Sequence, residues 1–241
     1  MILLIDVGNS RLKWTVAENG TLRALQAVEH EGQPGAALES LELPVCEQAW
    51  IANVTGAAHD GPLADAIDAQ CGLRAQFARP RREWRGLRPA YAQPERLGVD
   101  RWLSMAALWI ELEKPFCVVN AGTALTYDEV REGGRHAGGL IAPGLFTAWS
   151  AVKASTRFEM RPAPGAFGRG LGTDTDACVL QGALHACVGL IEHASREFLG
   201  PKILTGGDAA TLHPHLSRGW LLRPNLVLEG LHALATNGNR A

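Results

Sequence analysis

The chain opens with a run of apolar residues that ends on a charge. Residues 1–5 predict a short buried strand, which ends on Asp6, and Gly8 follows two residues later before an alternating second strand. We call residues 6–10 the first turn. A solvated hairpin turn is one interpretation. The other is a phosphate site, in which the glycine lets a ligand approach the backbone and the carboxylate holds hydrated Mg²⁺. The donors beside it are Asn9, Ser10 and Lys13.

A second copy of this pattern lies about half a chain later. An apolar run at residues 116–119 ends on Asn120, with Gly122 and Thr123 behind it and another β-rich run after them. We call residues 120–123 the second turn. Each copy continues into a further glycine turn and a third strand-like run. The repeat predicts a duplicated α/β domain whose two glycine turns face each other across a cleft that holds a nucleotide.

The remaining periodicity predicts the other elements. A third strand is expected at residues 21–28, and helical spacing at residues 60–71 ends at a glycine. Further helices are predicted at residues 102–112, 173–198 and 225–235. A short helix is predicted between residues 35 and 44, and two further strands at residues 50–54 and 73–78. The first half therefore has the predicted order β-β-β-α-β-α-β.

Composition narrows the class of protein. The 241 residues are 46% hydrophobic and 20% charged, with a formal net charge of -2, so the chain has enough apolar residues for a core and no global charge that favours nucleic acid or membranes. It has neither a signal-peptide pattern nor an apolar run of membrane-spanning length, which predicts a cytoplasmic protein. Five cysteines without a C-x-x-C pair predict reduced thiols, and the histidines lack zinc-ligand spacing.

Two further segments carry candidate chemistry. Residues 79–89 contain five arginines around Trp84. One interpretation is a segment that binds nucleic acid or a phosphorylated ligand, and the other is a solvated connector. Asp100 and Arg101 precede a strong helical pattern. They either cap that helix or act as a proton acceptor for a substrate hydroxyl and a cation for a polar substrate group. The chain contains no G-x-x-x-x-G-K-[ST] loop, no G-x-S-x-G elbow and no protein-kinase signature.

Six motifs, in order along the chain, carry a family resemblance. The sequence resembles the type III pantothenate kinases, of the superfamily of acetate and sugar kinases, heat-shock chaperones and actin. The resemblance implies two ribonuclease H-like domains, residues 1–113 and 114–241, flanking a nucleotide cleft. The motifs are D-V-G-N-S-x-x-K at 6–13, Y-x6-G-V-D-R at 91–101, G-T-A-L-T-Y-D at 122–128, G-G-L-I-A-P-G at 138–144, G-x-x-T at 172–175 and T-G-G-D-A at 205–209.

The resemblance also implies a reaction and the residues that perform it. Asp100 would take the proton from the pantothenate hydroxyl, which then attacks the γ-phosphate of ATP. The family works as dimers, and Thr175 would reach the substrate of the neighbouring subunit. Residues around pantothenate would be Tyr91, Gly98, Val99, Asp100, Arg101 and Thr175.

The resemblance also implies which residues bind the metal ions and the phosphates of ATP. Asp6 would hold Mg²⁺ through water, and Asp128 matches the carboxylate that binds the monovalent cation, K⁺ or NH₄⁺, which the family requires. A loose, charge-rich transition state needs alignment and cations more than a strong base. Residues near the phosphates of ATP would be Asp6, Gly8, Asn9, Ser10, Lys13, Gly122 and Thr123.

One departure from the family pattern stands in the second turn. The family usually has a carboxylate where this chain has Asn120, which predicts weaker Mg²⁺ binding. Two alternatives stay open. One is a Baf-like accessory or regulatory protein of the same family that binds nucleic acid through residues 79–88, which the presence of the acidic motif residues disfavours. The other is a kinase of the superfamily that acts on another hydroxylated small molecule.

Overall fold

A computed structural model describes residues 1–156, 167–168 and 170–237. The chain divides into two compact units. The first comprises Met1–Lys114, Glu132–His136 and the chain from Asn225 onward, and the second comprises Pro115–Arg131 and Ala137–Pro224. The terminal helix therefore belongs to the first unit.

The first unit is built on a six-stranded sheet with the order β3-β2-β1-β5-β6, in which β4 also pairs with β2. Strands β1 and β2 are antiparallel, whereas β1, β5 and β6 run parallel. The apolar run at the N-terminus occupies the middle of this sheet because its side chains are buried on both faces. The strands are β1 (Ile2–Val7), β2 (Arg11–Glu18), β3 (Thr21–Leu22), β4 (Gln26–Glu29), β5 (Gln48–Asn53) and β6 (Ala75–Phe77).

Helices cover this sheet. Leu38 of the first helix and Leu63 and Ile67 of the second pack into one core with Leu3 and Ile5. The terminal helix packs closely on α3, because a Cβ at Gly230 would lie 2.1 Å from the carbonyl oxygen of Leu103. The helices are α1 (Pro34–Glu39), α2 (Asp60–Cys71), α3 (Val99–Leu112) and, last in the chain, α7 (Leu226–Asn237).

The second unit repeats the topology of the first. Its sheet has the order β11-β10-β7-β8-β9, with β7 and β8 antiparallel and β7, β10 and β11 parallel. In both sheets the first strand of the unit lies between its antiparallel partner and a later parallel strand. The predicted duplicated ribonuclease H-like fold is confirmed. The strands are β7 (Phe116–Ala121), β8 (Ala124–Arg131), β9 (Arg135–Pro143), β10 (Lys202–Thr205) and β11 (Trp220–Leu222).

In the part of this unit that the structure describes, three α-helices accompany the sheet: α4 (Leu145–Ser155), α5 (Thr175–Ala194) and α6 (Ala209–Leu212). Among the described residues, α5 alone is long and apolar enough to span a membrane by length and composition, a test that core helices of water-soluble proteins also pass. Leu180, Leu184 and Ile191 of this helix are buried in the core of the unit. A packed helical face accounts for the apolar composition on that side of α5.

Several predicted boundaries are corrected. The strand expected at residues 21–28 is two short strands, β3 and β4, and both pair with β2. Helix α3 begins at Val99, which places Asp100 and Arg101 inside its first turn rather than before it. Helix α5 begins at Thr175, because the Asp174 side chain accepts from the Ala177 N–H and caps it there. Strand β11 was not predicted, since three residues carry too little periodicity.

Candidate active site

The first turn joins the two central strands of the first unit. Asp6 is directly opposite Lys13 in the antiparallel pairing of β1 and β2. Its neighbours Ile5 and Val7 point into the core beside α1 and α2, so the alternation of the strand directs Asp6 to the other face. The residue is 8% exposed, and burial of its carboxyl group shifts its pKa. The strand pairing therefore brings two of the predicted phosphate-site residues, one acidic and one basic, to the same place.

Burial dominates the electrostatics of this carboxylate. It raises the pKa of Asp6 from 3.8 to about 6, with the Lys13 charge opposing the rise and the Asp100 charge adding to it. Asp100 therefore lies within electrostatic range of Asp6. Burial disfavours the charged form of this carboxylate, and a cation bound nearby would stabilise that form. A metal ion that also binds phosphate would be such a cation.

Gly8 gives the first turn its shape. Its N–H donates to the Arg11 carbonyl at 3.0 Å, and a Cβ at this position would lie 3.2 Å from the same oxygen. Asn9 and Ser10 follow as exposed residues at the tip of the turn. The turn thus presents its backbone and two short polar side chains to solvent, as a phosphate-binding loop requires.

The start of α3 positions the other acidic residue. A Cβ at Gly98 would lie 2.7 Å from the Asp100 Oδ1, so the carboxylate folds back over the backbone just before the helix. An aspartate in the first turn of a helix is also stabilised by the helix dipole. Val99, between them, is buried and anchors the helix start. A glycine at position 98 leaves the space that this carboxylate occupies.

Arg101 and Tyr91 form a connected pair beside Asp100. The Arg101 Nη1 donates to the Tyr91 hydroxyl at 3.1 Å, and the guanidinium lies 5.9 Å from the centre of the tyrosine ring. His136 stacks on the other partner, with its ring 6.4 Å from that of Tyr91 and 7° from parallel. The sequence reasoning missed His136, because a lone histidine on a strand has no local signal. These contacts hold a buried cation at the predicted substrate site.

The second turn lies in the second unit and is held by two backbone N–H groups and one side-chain hydroxyl. The Thr123 carbonyl accepts from the Gly144 N–H at 3.0 Å and from the Thr147 Oγ1 at 2.7 Å. The glycine turn at residues 205–208 also reaches it, since the Asp208 N–H donates to the Ala121 carbonyl at 2.9 Å. Three glycine-containing segments of this unit therefore meet at the second turn. They belong to the motifs at residues 122–128, 138–144 and 205–209, so these three motifs lie at the same edge of the sheet.

The remaining two predicted site residues also lie in the second unit. Asp128 is 1% exposed on β8, opposite Val118, and points away from the core that Leu125 and Tyr127 enter. Thr175 is the exposed first residue of α5. Asp128 thus has the burial that a specific cation ligand needs, and Thr175 has the exposure that contact with a second subunit needs.

The arginine-rich segment makes structural contacts within the first unit. Arg79 forms an ion pair with Asp60 at the start of α2. Arg88 Nη2 donates to the Gly133 carbonyl at 2.9 Å. These two arginines tie the segment to its own unit, which favours the connector interpretation.

The acidic residues fit Mg²⁺ in the way that kinases hold it. Among the residues the structure describes, no group of three or more His, Cys, Asp or Glu side chains is arranged as a metal site. Mg²⁺ in phosphoryl-transfer enzymes is usually held by one or two carboxylates together with substrate phosphates. A single buried carboxylate at the first turn, Asp6, suits that arrangement better than a preformed metal cage.

Comparisons with known proteins point to one family. The family model described as type III pantothenate kinase matches residues 2–197. A type III pantothenate kinase from Nitrosococcus oceani is 31% identical over 100% of this chain and 96% of its own length. One from Methylobacillus flagellatus is 35% identical over 95% of this chain and 96% of its own length.

Solved structures show the fold at lower identity. A Baf family protein from Campylobacter jejuni superposes with a TM-score of 0.63 at 21% identity, covering 98% of this chain and 99% of that chain. The activator of 2-hydroxyisocaproyl-CoA dehydratase from Clostridium difficile, solved with bound ADPNP, has a TM-score of 0.57 at 8% identity, covering 98% of this chain and 94% of that chain.

Proposed function

Because the chain belongs to the type III pantothenate kinase family, it phosphorylates pantothenate with ATP for coenzyme A biosynthesis, and we propose that Asp100 is the general base. One observation supports this role above the others. The Asp100 carboxylate is folded over Gly98 at the start of α3, next to Arg101, and its charge acts on the buried Asp6 of the first turn. Asp100 therefore lies beside Arg101, the cation proposed to bind the substrate, and Asp6 lies in the proposed phosphate loop.

The roles of the two acids follow from their surroundings. Asp100 accepts the proton of the pantothenate hydroxyl as that oxygen attacks the γ-phosphate of ATP, and ADP leaves. A carboxylate suffices as base, because the transition state is loose and the proton moves late. Arg101, held by Tyr91, binds a polar group of pantothenate and keeps the hydroxyl near the carboxylate.

The first turn receives the phosphates. Lys13 neutralises phosphate charge, and Asn9 and Ser10 donate hydrogen bonds to phosphate oxygens. Asp6 would hold Mg²⁺ through water. When bound, Mg²⁺ neutralises charge that develops on the phosphate oxygens.

A coupled assay of ADP release tests the base and the substrate together. We expect turnover with pantothenate and none above background with acetate or a hexose. Asp100→Asn should lower kcat by about 10²- to 10⁴-fold, the usual contribution of a general base. Asp65→Asn, on the exposed side of α2, is the control and should leave kcat unchanged. An Asp100→Asn variant that keeps most of its turnover would show that another group accepts the proton.

We also propose that Asp128 holds the monovalent cation, K⁺ or NH₄⁺. Its carboxylate is buried on β8, where a bound cation would balance its charge. Titrating activity against KCl and NH₄Cl tests this, because Asp128→Asn should abolish the activation by either salt. Activation that persists unchanged in the variant would place the cation elsewhere.

A cytoplasmic homodimer is the proposed form of the enzyme. Apolar side chains are exposed on adjoining elements of the second unit, with Leu140 47% and Ile141 65% exposed on β9 and Phe146 40% exposed on α4. Large exposed apolar patches usually mark association surfaces. Sedimentation should give a dimer that Ile141→Glu dissociates. A monomeric wild-type protein at assay concentration would contradict the proposal.

A further inference from the structure

His30 lies beneath the first turn, although nothing in its sequence context marks it. It follows β4, which pairs with β2 in the register Arg11 with Glu29, and this pairing carries the histidine to the first turn. The side chain is 4% exposed, and its Nε2 lies 2.8 Å from the Gly8 carbonyl oxygen. Its backbone N–H also donates to the Ser10 carbonyl at 3.4 Å. One residue therefore contacts two carbonyls of the turn.

The second ring nitrogen determines where the proton resides. The Gly32 N–H donates to the His30 Nδ1 at 3.2 Å, so Nδ1 is an acceptor and the proton of the neutral ring is on Nε2. This contact depends on a tight turn, in which Glu31 and Gly32 have φ angles of 47° and 82°. The Nε2–H then donates to the Gly8 carbonyl.

Holding this carbonyl orients the next amide. The C=O and N–H groups of a trans peptide point in opposite directions, so a Gly8 carbonyl directed at His30 turns the Asn9 N–H away from it. We propose that His30 is a positioning residue that aims the Asn9 N–H at the phosphates of ATP. This inference rests on the proposed role of the first turn as the phosphate loop.

Two substitutions separate the donor from the acceptor. Glutamine places an amide nitrogen near the position of Nε2 and keeps the bond to Gly8, whereas asparagine imitates Nδ1 and loses that bond. We expect His30→Asn to weaken binding of Mg²⁺ with a non-hydrolysable ATP analogue about tenfold, measured by calorimetry, since the Gly8 carbonyl loses the donor that fixes the direction of the Asn9 N–H. His30→Gln should stay within about threefold of wild type, and the KM for pantothenate should not change in either variant.

A matched control exists in the other unit, where the His213 Nε2 lies 3.1 Å from the Trp220 carbonyl oxygen. His213→Asn removes a bond of the same kind and should leave nucleotide affinity unchanged. Equal affinities in His30→Asn and His30→Gln would overturn the inference. So would a parallel rise in the KM for pantothenate.

The wild-type protein supplies a test that needs no variant. Long-range ¹H–¹⁵N NMR should find the His30 proton on Nε2, and a proton on Nδ1 would overturn the inference. Lys13→Ala reports on the proposed function separately. If it binds the nucleotide as tightly as wild type, the first turn is not the phosphate loop, and the role of His30 falls with that assignment.

Discussion

The two glycine turns occupy equivalent places in the two units but differ in charge. In the first, the buried Asp6 faces Lys13 across the strand pair, whereas in the second Asn120 faces Thr126. At equivalent positions of the two sheets, the first unit has an acid–base pair and the second has an amide–hydroxyl pair. The backbone is duplicated but the charges differ, and the first turn has the acidic and basic groups suited to metal and phosphate.

The turns also differ in what holds them. A buried histidine, His30, contacts the first turn, whereas two backbone N–H groups and the Thr147 hydroxyl contact the second. A Cβ at Gly144 would lie 1.8 Å from the Gly122 carbonyl oxygen, and one at Gly206 would lie 2.2 Å from that of Ala121. The two segments that border the second turn therefore cannot accept a methyl group at these glycines, although Gly122 itself has space, since a Cβ there would lie 4.0 Å from the nearest atom.

The largest expected effect tests the difference in charge. Asp6→Asn should lower kcat/KM by about 10²- to 10³-fold, because it removes a preorganised charge from the phosphate site. Asn120→Ala should lower it by less than about tenfold, since it removes neutral hydrogen bonds. Steady-state kinetics at saturating Mg²⁺ measures both. Equal losses would mean that the two turns contribute alike despite their different charges.

The next effect tests the difference in packing. Gly144→Ala should lower the free energy of unfolding by at least ~3 kcal/mol, because its methyl group meets a backbone carbonyl that cannot move alone. Gly8→Ala meets the Arg11 carbonyl at 3.2 Å and should lose only ~1 kcal/mol. Urea unfolding measures both values. A Gly8→Ala variant less stable than Gly144→Ala would reverse the comparison.

A third effect is the pH dependence of stability without ligands. Burial raises the pKa of Asp6 from 3.8 to about 6, so between these values the folded protein retains a proton that the unfolded chain has lost. This contribution to the free energy of unfolding is present below pH 3.8 and is lost as the pH rises through 6, and it amounts to about 3 kcal/mol.

Denaturation of Asp6→Asn shows whether this residue is the cause. The variant lacks the titrating group, so its stability relative to wild type should increase from pH 4 to pH 7. Asp65→Asn, which changes an exposed residue of α2, serves as the control and should leave the wild-type profile intact. A constant difference between Asp6→Asn and wild type would mean that Asp6 titrates alike in the folded and unfolded chains.

The smallest effect is expected from a substitution that gives the second turn a carboxylate like that of the first. Asn120→Asp adds the carboxylate that the family pattern has, and it should lower the Mg²⁺ concentration for half-maximal activity by about threefold to tenfold. Its side-chain oxygen lies beside Gly206, in a segment of the same unit, so the fold has a place for the group. An unchanged Mg²⁺ titration would remove the prediction that Asn120 weakens metal binding.

Local patterns predicted much of the fold. The apolar runs before Asp6 and Asn120 became the central strands β1 and β7, and the helix predicted at residues 60–71 has those boundaries, with Gly72 left-handed after it. The patterns could not divide residues 21–28 into β3 and β4, because alternation does not show where a strand leaves its partner. The patterns also missed His30 and His136. His30 contacts a residue 22 positions away in the chain, and His136 contacts residues 45 and 46 positions away.

Local features could therefore be predicted from the chain alone: two apolar strands that each end on a polar residue and a glycine, and the motif residues that identify the family. Strand periodicity and turn chemistry act over a few residues, so they can be read without the fold. Two features depend on the folded structure: the burial that raises the pKa of Asp6 to about 6, and the contact of His30 with the first turn. Burial and long-range hydrogen bonds depend on which strands pair and which helices cover them.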